Sequence, residues 1–419
     1  MSTLAIDGGP KTIKDTLPHF QMAAGRTFDE TEERLVLEAL RSGCLSKNGG
    51  SMVKRLEQEF AAMLDMPFAI ACSSGTAAVH LCVAALDLEP GDEVIVPPIT
   101  DIGTILPVLW QNAIPIFSDI DPRTMTLDAT DVERRITKRT RAIIAVHLGG
   151  QMCDMVALRR VCDAHGLTLI EDCSQAYWAE HDGRLAGTRG DLACFSLQQS
   201  KHVTCGEGGL VVTRDPKFFQ RAALFSDKAW PRDIHTLGAA RFLFLSQNYR
   251  MSELQGAVAL GQIRKVKDVV GRRRHAAGLL NRLLAGIPMV SPPYIPPNTK
   301  HSYWLYFLRV HDPRGASLTQ QFGDALVAEG VPAWVRYIVD PLYCSPLFTK
   351  PATYGTSGYP FSEWGTQTFE RGLCPNAERA LDEVIAIHWN ENLSDSHVHQ
   401  IAAAISTVAA HYAPAANSV

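Results

Sequence analysis

From about residue 27 to 265 the chain alternates helical stretches with short, mostly apolar runs, and no other feature constrains its fold as tightly. Glu32–Arg41 and Val53–Leu64 carry apolar residues at helical spacing. Phe68–Cys72 reads as a strand, followed by Ser73-Ser74-Gly75-Thr76 and an alanine- and leucine-rich helix, Ala77–Leu86. The runs Glu93–Val96, Ile114–Ser118, Ala142–His147, Thr168–Glu171 and Leu192–Ser196 are mostly apolar, as strands are when both faces of their sheet are covered. Helical connections of this length make such strands parallel. Leu210–Thr213, after a glycine-rich turn, is a further strand. The expected fold class is α/β, with a large unit (residues 1–265, N-terminal segment included) whose mostly parallel sheet is flanked by helices.

The pattern changes at Gln262–Arg274, a basic helical stretch, and Ile287–Thr299 is a proline-rich connection. Beyond it, Ser302–Val310 and Val331–Val339 read as strands, with helices at Thr319–Glu329 and His397–His411. Residues 266–419 are therefore expected to form a smaller α+β unit. A length of 419 residues suits two or three units of roughly 100–200 residues each.

Several classes drop out on composition. A net charge of -4 gives no basic surface for nucleic acid or membrane. No apolar run approaches the ~18 residues that span a bilayer, and Met1 to Lys11 lacks a signal peptide's layout, which points to the cytoplasm. The ten cysteines are scattered without a Cys-x-x-Cys pair, and His397 and His399 lack a third ligand, so no metal site is expected. No Gly-x-Gly-x-x-Gly follows the first strand, against a Rossmann-type dehydrogenase.

Four segments carry chemistry, and each also has a plain structural reading. Ser73–Thr76 opens a helix, where unpaired N–H groups suit a phosphate, with Gly75 allowing close approach and Ser74 and Thr76 adding hydroxyls. It could equally be a capped turn. Glu171-Asp172-Cys173-Ser174-Gln175 ends a strand, where a carboxylate could hold a protonated pyridine nitrogen and Gln175 could reach a ring substituent; alternatively, Asp172 caps a helix. Lys201 lies between a buried strand and the turn Gly206-Glu207-Gly208-Gly209, where burial would lower its pKa. Ser196 and Ser200 beside it could donate to a phosphate. Gln247–Gln255 opens another helix with Asn248 and Arg250, either serving an anion or capping that helix.

In order and spacing these segments resemble the sugar aminotransferases of the DegT–StrS type, within fold type I of the pyridoxal-phosphate enzymes. Pro115–Asp121, Val146–Gly150, the start Leu4–Pro10 and the late Asn376-Ala377-Glu378 match as well, so the resemblance spans nearly the whole chain. It implies that pyridoxal 5′-phosphate is the cofactor and that Lys201 forms a Schiff base with it and later moves the substrate proton. Asp172 would pair with the pyridinium nitrogen, and Gln175 would contact the ring hydroxyl. Ser74, Gly75, Thr76 and Ser196 would bind the phosphate. Asn248 would reach into the partner subunit's site in a homodimer, with Lys228 and Trp230 lining that site.

The implied reaction moves an amino group from glutamate or glutamine to a nucleotide-linked keto-sugar or a cyclitol ketone. Related dehydratases carry histidine where Lys201 stands; His202 is next door. A sensor that kept the fold need not keep Lys201, Asp172 and Ser196 together. One departure stands out. The family places an aromatic residue after the threonine of a Pro-x-x-Thr segment, against the cofactor ring, but here Asp101 follows Pro97-Pro98-Ile99-Thr100. Tyr177 and Trp178, where smaller residues are common, either shape the acceptor pocket or simply pack.

Overall fold

The computed structural model describes residues 3–232, 241–311 and 316–413. Its strands, in chain order, begin with β1 (Phe68–Cys72), β2 (Glu93–Val96), β3 (Ile114–Phe117), β4 (Thr140–Val146) and β5 (Thr168–Asp172). Next come the two-residue strands β6 (Glu180–His181) and β7 (Arg184–Leu185), then β8 (Leu192–Ser196) and β9 (Gly209–Thr213). The C-terminal part adds β10 (Val290–Ser291), β11 (Thr299–Lys300), β12 (Leu305–Val310), β13 (Ala333–Val335) and β14 (Val384–His388).

The large sheet runs in the order β1-β9-β8-β5-β4-β2-β3. Pairings from β3 through β2, β4 and β5 to β8 are parallel, and β9 alone runs against its two neighbours. The exception has a plain cause. Residues 197–208 between β8 and β9 form no helix, so the chain returns as a hairpin instead of crossing over. β1 therefore points the same way as β5 and β8, and their carboxyl ends share one edge. The mostly parallel α/β architecture expected from the alternating pattern is what forms.

Helices cover both faces. Met52–Met63 and Glu253–Ile263 pack with Leu56, Phe60 and Leu260 on one side, while Gly75–Ala85 packs with Val79, Leu81 and Phe117 on the other. The helix Gly75–Ala85 is buried nearly all round, which is why its sequence is apolar without a polar stripe. Helix starts are capped by side chains: Asp29 and Ser252 form capping boxes, and Asp154 and Asp215 accept from the first turn.

The smaller sheet, β10-β12-β14-β13, is antiparallel and packs against Ala316–Ala328 and Asp395–Tyr412. The start of the chain belongs to this core. Leu4, Ile13 and Leu17 are buried in it, and the Glu329 carboxylate accepts from Ala5 N, Thr12 N and Thr12 Oγ1. We therefore place residues 4–17 with the C-terminal unit, not with the large one. Gln262–Arg274 is not one helix: it breaks at Arg264-Lys265, between Glu253–Ile263 and Val266–Leu283. The units are tied by Asp119, whose two oxygens accept Asn376 N and Ala377 N at the start of Pro375–Glu383. Among the described residues no helix is long and apolar enough to cross a membrane.

Candidate active site

The carboxyl edge of the large sheet opens on a cleft of about 390 Å³. Ser74, Gly75, Thr76, Asp172, Gln175, Ser196 and Lys201, all singled out from the sequence, line it. β1, β5 and β8 each deliver part of the set, as expected where parallel strands end.

Gly75 begins a helix at the end of β1, and Ser74 caps it by accepting Ala77 N at 3.1 Å. A Cβ on Gly75 would lie 2.6 Å from the Ser196 Cβ, closer than atoms can approach, so only glycine lets the helix start meet β8 there. Thr76 faces Gly103 across the cleft, with its hydroxyl 2.5 Å from where a side chain there would begin. The phosphate and capping readings of this turn are thus compatible: Ser74 does the capping, and the open helix end faces Ser196.

Asp172 ends β5 and is 5% exposed. No helix follows it; residues 173–178 make turns, so it is not a helix cap. Its Oδ2 accepts from Thr104 Oγ1 at 2.9 Å, Thr104 is in turn bonded to Thr100, and its Oδ1 accepts Ser174 N. Gln175 is committed on both ends: Oε1 accepts Gly149 N at 2.7 Å and Nε2 donates to Tyr337 Oη at 2.9 Å. One amide hydrogen of Gln175 remains for a ligand.

Lys201 sits in the β8–β9 loop, with its Nζ 4.0 Å from the centre of the Trp304 ring. Burial lowers its pKa to about 8, against the opposing pull of Asp101 and then Asp172. More of this amine is therefore uncharged near neutral pH than of a solvated lysine. The loop is held from behind. Arg26 donates to Lys201 O at 2.9 Å and also to Gln199 O, and Trp304 Nε1 donates to Ser200 O at 2.8 Å. His202 points away into the core, where its Nε2 lies 3.0 Å from Ser302 O and burial drives its pKa well down.

Sequence reasoning missed Arg26, Thr104, Trp304 and Tyr337. Arg26, Trp304 and Tyr337 come from segments far from the motifs, and Thr104 lies four residues past Thr100; only folding brings them to this cleft. Asn248 is not in this cleft: it is exposed and bridges to Asp227 outside it. Lys228 and Trp230 also lie away, with Trp230 on a separate cavity beside Asp227, Arg232 and Arg250. Tyr177 and Trp178 prove to be packing residues. Tyr177 is buried against Phe195 and donates to Ser196 O, and Trp178 packs on the same core without lining the cleft.

Behind β5 lies a second polar cluster. His147, Glu171 and Cys173 are buried with ligand-type atoms close enough to surround an ion. Their bonding capacity is already used. Glu171 accepts from His147 Nε2 at 2.9 Å and from the backbone N–H groups of Gly187, Arg189 and Gly190. His147 Nδ1 accepts Cys153 N, and burial pushes the Cys173 thiol up to about 12. All ten cysteines are free thiols.

The cleft thus joins a lysine amine of lowered pKa, a held carboxylate and the start of a helix. The chain belongs to the DegT/DnrJ/EryC1/StrS aminotransferase family, whose model matches residues 26–406. It is an aminotransferase. It is 34% identical to the GDP-perosamine synthase of Caulobacter vibrioides over 80% of this chain and 89% of that one. It is 32% identical to the L-glutamine:2-deoxy-scyllo-inosose aminotransferase of Streptoalloteichus tenebrarius over 98% of each. The solved structure of S. venezuelae DesV in complex with a ketimine intermediate matches with a TM-score of 0.79 at 29% identity, covering 90% of this chain and 94% of that one.

Proposed function

We propose that this aminotransferase uses pyridoxal 5′-phosphate to move an amino group from glutamate or glutamine to a ketone on a sugar or cyclitol ring. The observation that carries the reading is Lys201, its pKa lowered to about 8, in one cleft with Asp172 and the helix start at Gly75. The residues fit the cofactor. The Gly75–Ser196 approach leaves a cradle that a single Cβ would fill, at the positive end of a helix. The backbone at Gly75 and Thr76, with the hydroxyls of Ser74, Thr76 and Ser196, would hold the phosphate. Asp172 would hold the ring nitrogen, and Gln175 has one amide hydrogen left for a ring oxygen.

When bound, the cofactor supplies an electron-withdrawing ring and carries nitrogen between the two substrates. Asp172, oriented by Thr104 and Ser174 N, would pair with the ring nitrogen. Lys201 Nζ would take a proton from the amino donor's carbon and, in the second half-reaction, give one to the acceptor's carbon, and Arg26 holds its loop so that the amine stays over Trp304. Trp304 and Tyr337 are the aromatic side chains that line the cleft among the described residues, and Asp101 stands where the family's ring-covering aromatic would.

The exposed Asn248, turned out of its own chain's cleft, supports a homodimer in which it enters the partner's site. The dimer would be isologous, with two shared sites. A dehydratase would need histidine at the lysine's place, and His202 does not face the cleft.

An absorption spectrum of the reconstituted protein tests this directly. Wild type should show a yellow band that L-glutamate or L-glutamine bleaches, and Lys201→Ala should lack the band. A protein that takes up no pyridoxal phosphate, or one whose band no amino donor moves, would overturn the reading.

A further inference from the structure

The cleft is short of positive charge. Asp101, Asp172 and Glu207 line it, and Lys201 is its only cation among the described residues. Asp172 is engaged on both oxygens. Asp101 is engaged on one. Its Oδ1 accepts Gly103 N at 2.8 Å, capping the short turn Ile102–Thr104, and its Oδ2 has no partner among the described residues. The residue is exposed, at the mouth of the cleft beyond β2.

Its charge reaches across the cleft. After burial, Asp101 acts most strongly on the Lys201 amine, ahead of Asp172, and it acts on the Tyr337 phenol as well. Asp101 thus lines the same cleft as the amine that a reacting ketone must approach. Trp304 offers the cleft an indole ring, fixed by the bond from its Nε1 to Ser200 O.

A free carboxylate oxygen accepts hydrogen bonds and donates none. Beside an aromatic wall it matches a ring with hydroxyls on its edge and C–H groups on its faces. It opposes any ligand that brings a second negative charge to the same place, since among the described residues of this chain no further cation lines the cleft to offset it. A site built to bond a hydroxyl also rejects analogues that leave its own polar group unpaired.

We propose that Asp101 is a specificity-determining residue of this aminotransferase. Its Oδ2 accepts a hydrogen bond from a hydroxyl of an uncharged, polyhydroxylated keto ring held against Trp304, and it turns away rings that carry a carboxylate or phosphate. The inference rests on the aminotransferase reading above. The amino donor visits the same cleft with its own carboxylates, so Asp101 acts on the two half-reactions with opposite sign.

Asp101→Asn tests this, because asparagine keeps an oxygen for Gly103 N–H and puts an uncharged donor in place of the accepting Oδ2; Asp101→Ala also removes the cap. Each half-reaction is followed separately by absorbance. L-glutamate and L-glutamine serve as donors. Scyllo-inosose and a GDP-linked 4-keto-hexose are the uncharged rings, and a keto-hexose 6-phosphate is the charged one. Calorimetric titration with scyllo-inositol reads ring binding without turnover. In Asp101→Asn the uncharged-ring half-reaction should lose about 10- to 100-fold in efficiency, the span of one charged hydrogen bond. Scyllo-inositol should bind more weakly, the donor half-reaction should hold or improve, and the phosphorylated ring should gain on the others. The proposal is overturned if donor and acceptor half-reactions fall together, if uncharged rings are unaffected, or if wild type prefers the phosphorylated ring. Wild-type protein with no half-reaction from either donor would instead overturn the proposed function above.

Discussion

Two polar clusters share one strand, and they differ in how many of their hydrogen bonds are already made. Glu171 and Asp172 are neighbours on β5 with side chains on opposite sides. Glu171 faces a closed cluster, where His147 and three backbone N–H groups fill both its oxygens. Asp172 faces the cleft beside an amine that can gain and lose a proton. A buried acid whose partners are all protein groups stabilises a loop; one left open to the cleft can do chemistry. Residue type and burial do not separate these two. Unspent bonding capacity does.

The largest effects should fall on the open side. Asp172→Asn should cut turnover by about 10²–10⁴-fold while leaving the melting temperature near wild type, which steady-state rates and calorimetry would check together. Equal losses of activity and stability would blur the distinction between the clusters. Glu171→Ala should do the reverse. It strips one partner from a buried pair and should cost about 3–5 kcal/mol in a denaturant titration, with activity per folded molecule largely kept.

The sign with pH follows. Burial alone would raise the Glu171 carboxyl, but His147 and the amides of Gly187 and Gly190 hold it below its ordinary value. Its contribution is in place above the unfolded carboxyl's pKa and is lost as pH falls through the lower folded one. An acid titration of stability should therefore flatten in Glu171→Ala relative to wild type.

A smaller effect should come from Gly75→Ala. The added carbon meets Ser196 at 2.6 Å, so the phosphate cradle must open. Cofactor retention on dialysis should drop by about 10-fold or more, the equivalent of one misplaced charged hydrogen bond, with little change in fold. The smallest and most diagnostic effect concerns Lys201. Because its amine is lowered to about 8, the rate at which the cofactor-free protein takes up pyridoxal phosphate should rise with pH to a midpoint near that value. Asp101→Asn should move the midpoint down, since removing a negative neighbour disfavours the charged amine. An unmoved midpoint would separate Asp101 from the lysine.

The sequence carried much of this, though unevenly. Phe68–Cys72, Glu93–Val96 and Leu192–Ser196 were legible to the residue, because strands buried on both faces leave uninterrupted apolar runs. Val384–His388 went unread, although it is the central strand that pairs with both β12 and β13. So did Met155–His165 and Pro375–Glu383, whose helical apolar spacing is short and interrupted by charges. Within the site, Lys201, Asp172 and Gly75 were legible because each stands where a strand gives way to a turn. Arg26, Trp304 and Tyr337 were not, since nothing local marks an arginine that will bond a carbonyl 175 residues away.

By itself, then, the sequence determined the alternating large unit and the chemical groups at the ends of its strands. Those follow from periodicity and turn chemistry, which act over a few residues. Tertiary structure alone decided which strand turns back, that Lys201 faces the cleft while His202 faces the core, and that Asp101 keeps an oxygen free beside the lysine. Those outcomes depend on burial and on hydrogen bonds between residues far apart in the chain. A local stretch of sequence cannot specify them, because the low dielectric and the partners that set a buried group's charge exist only once the fold has closed around it.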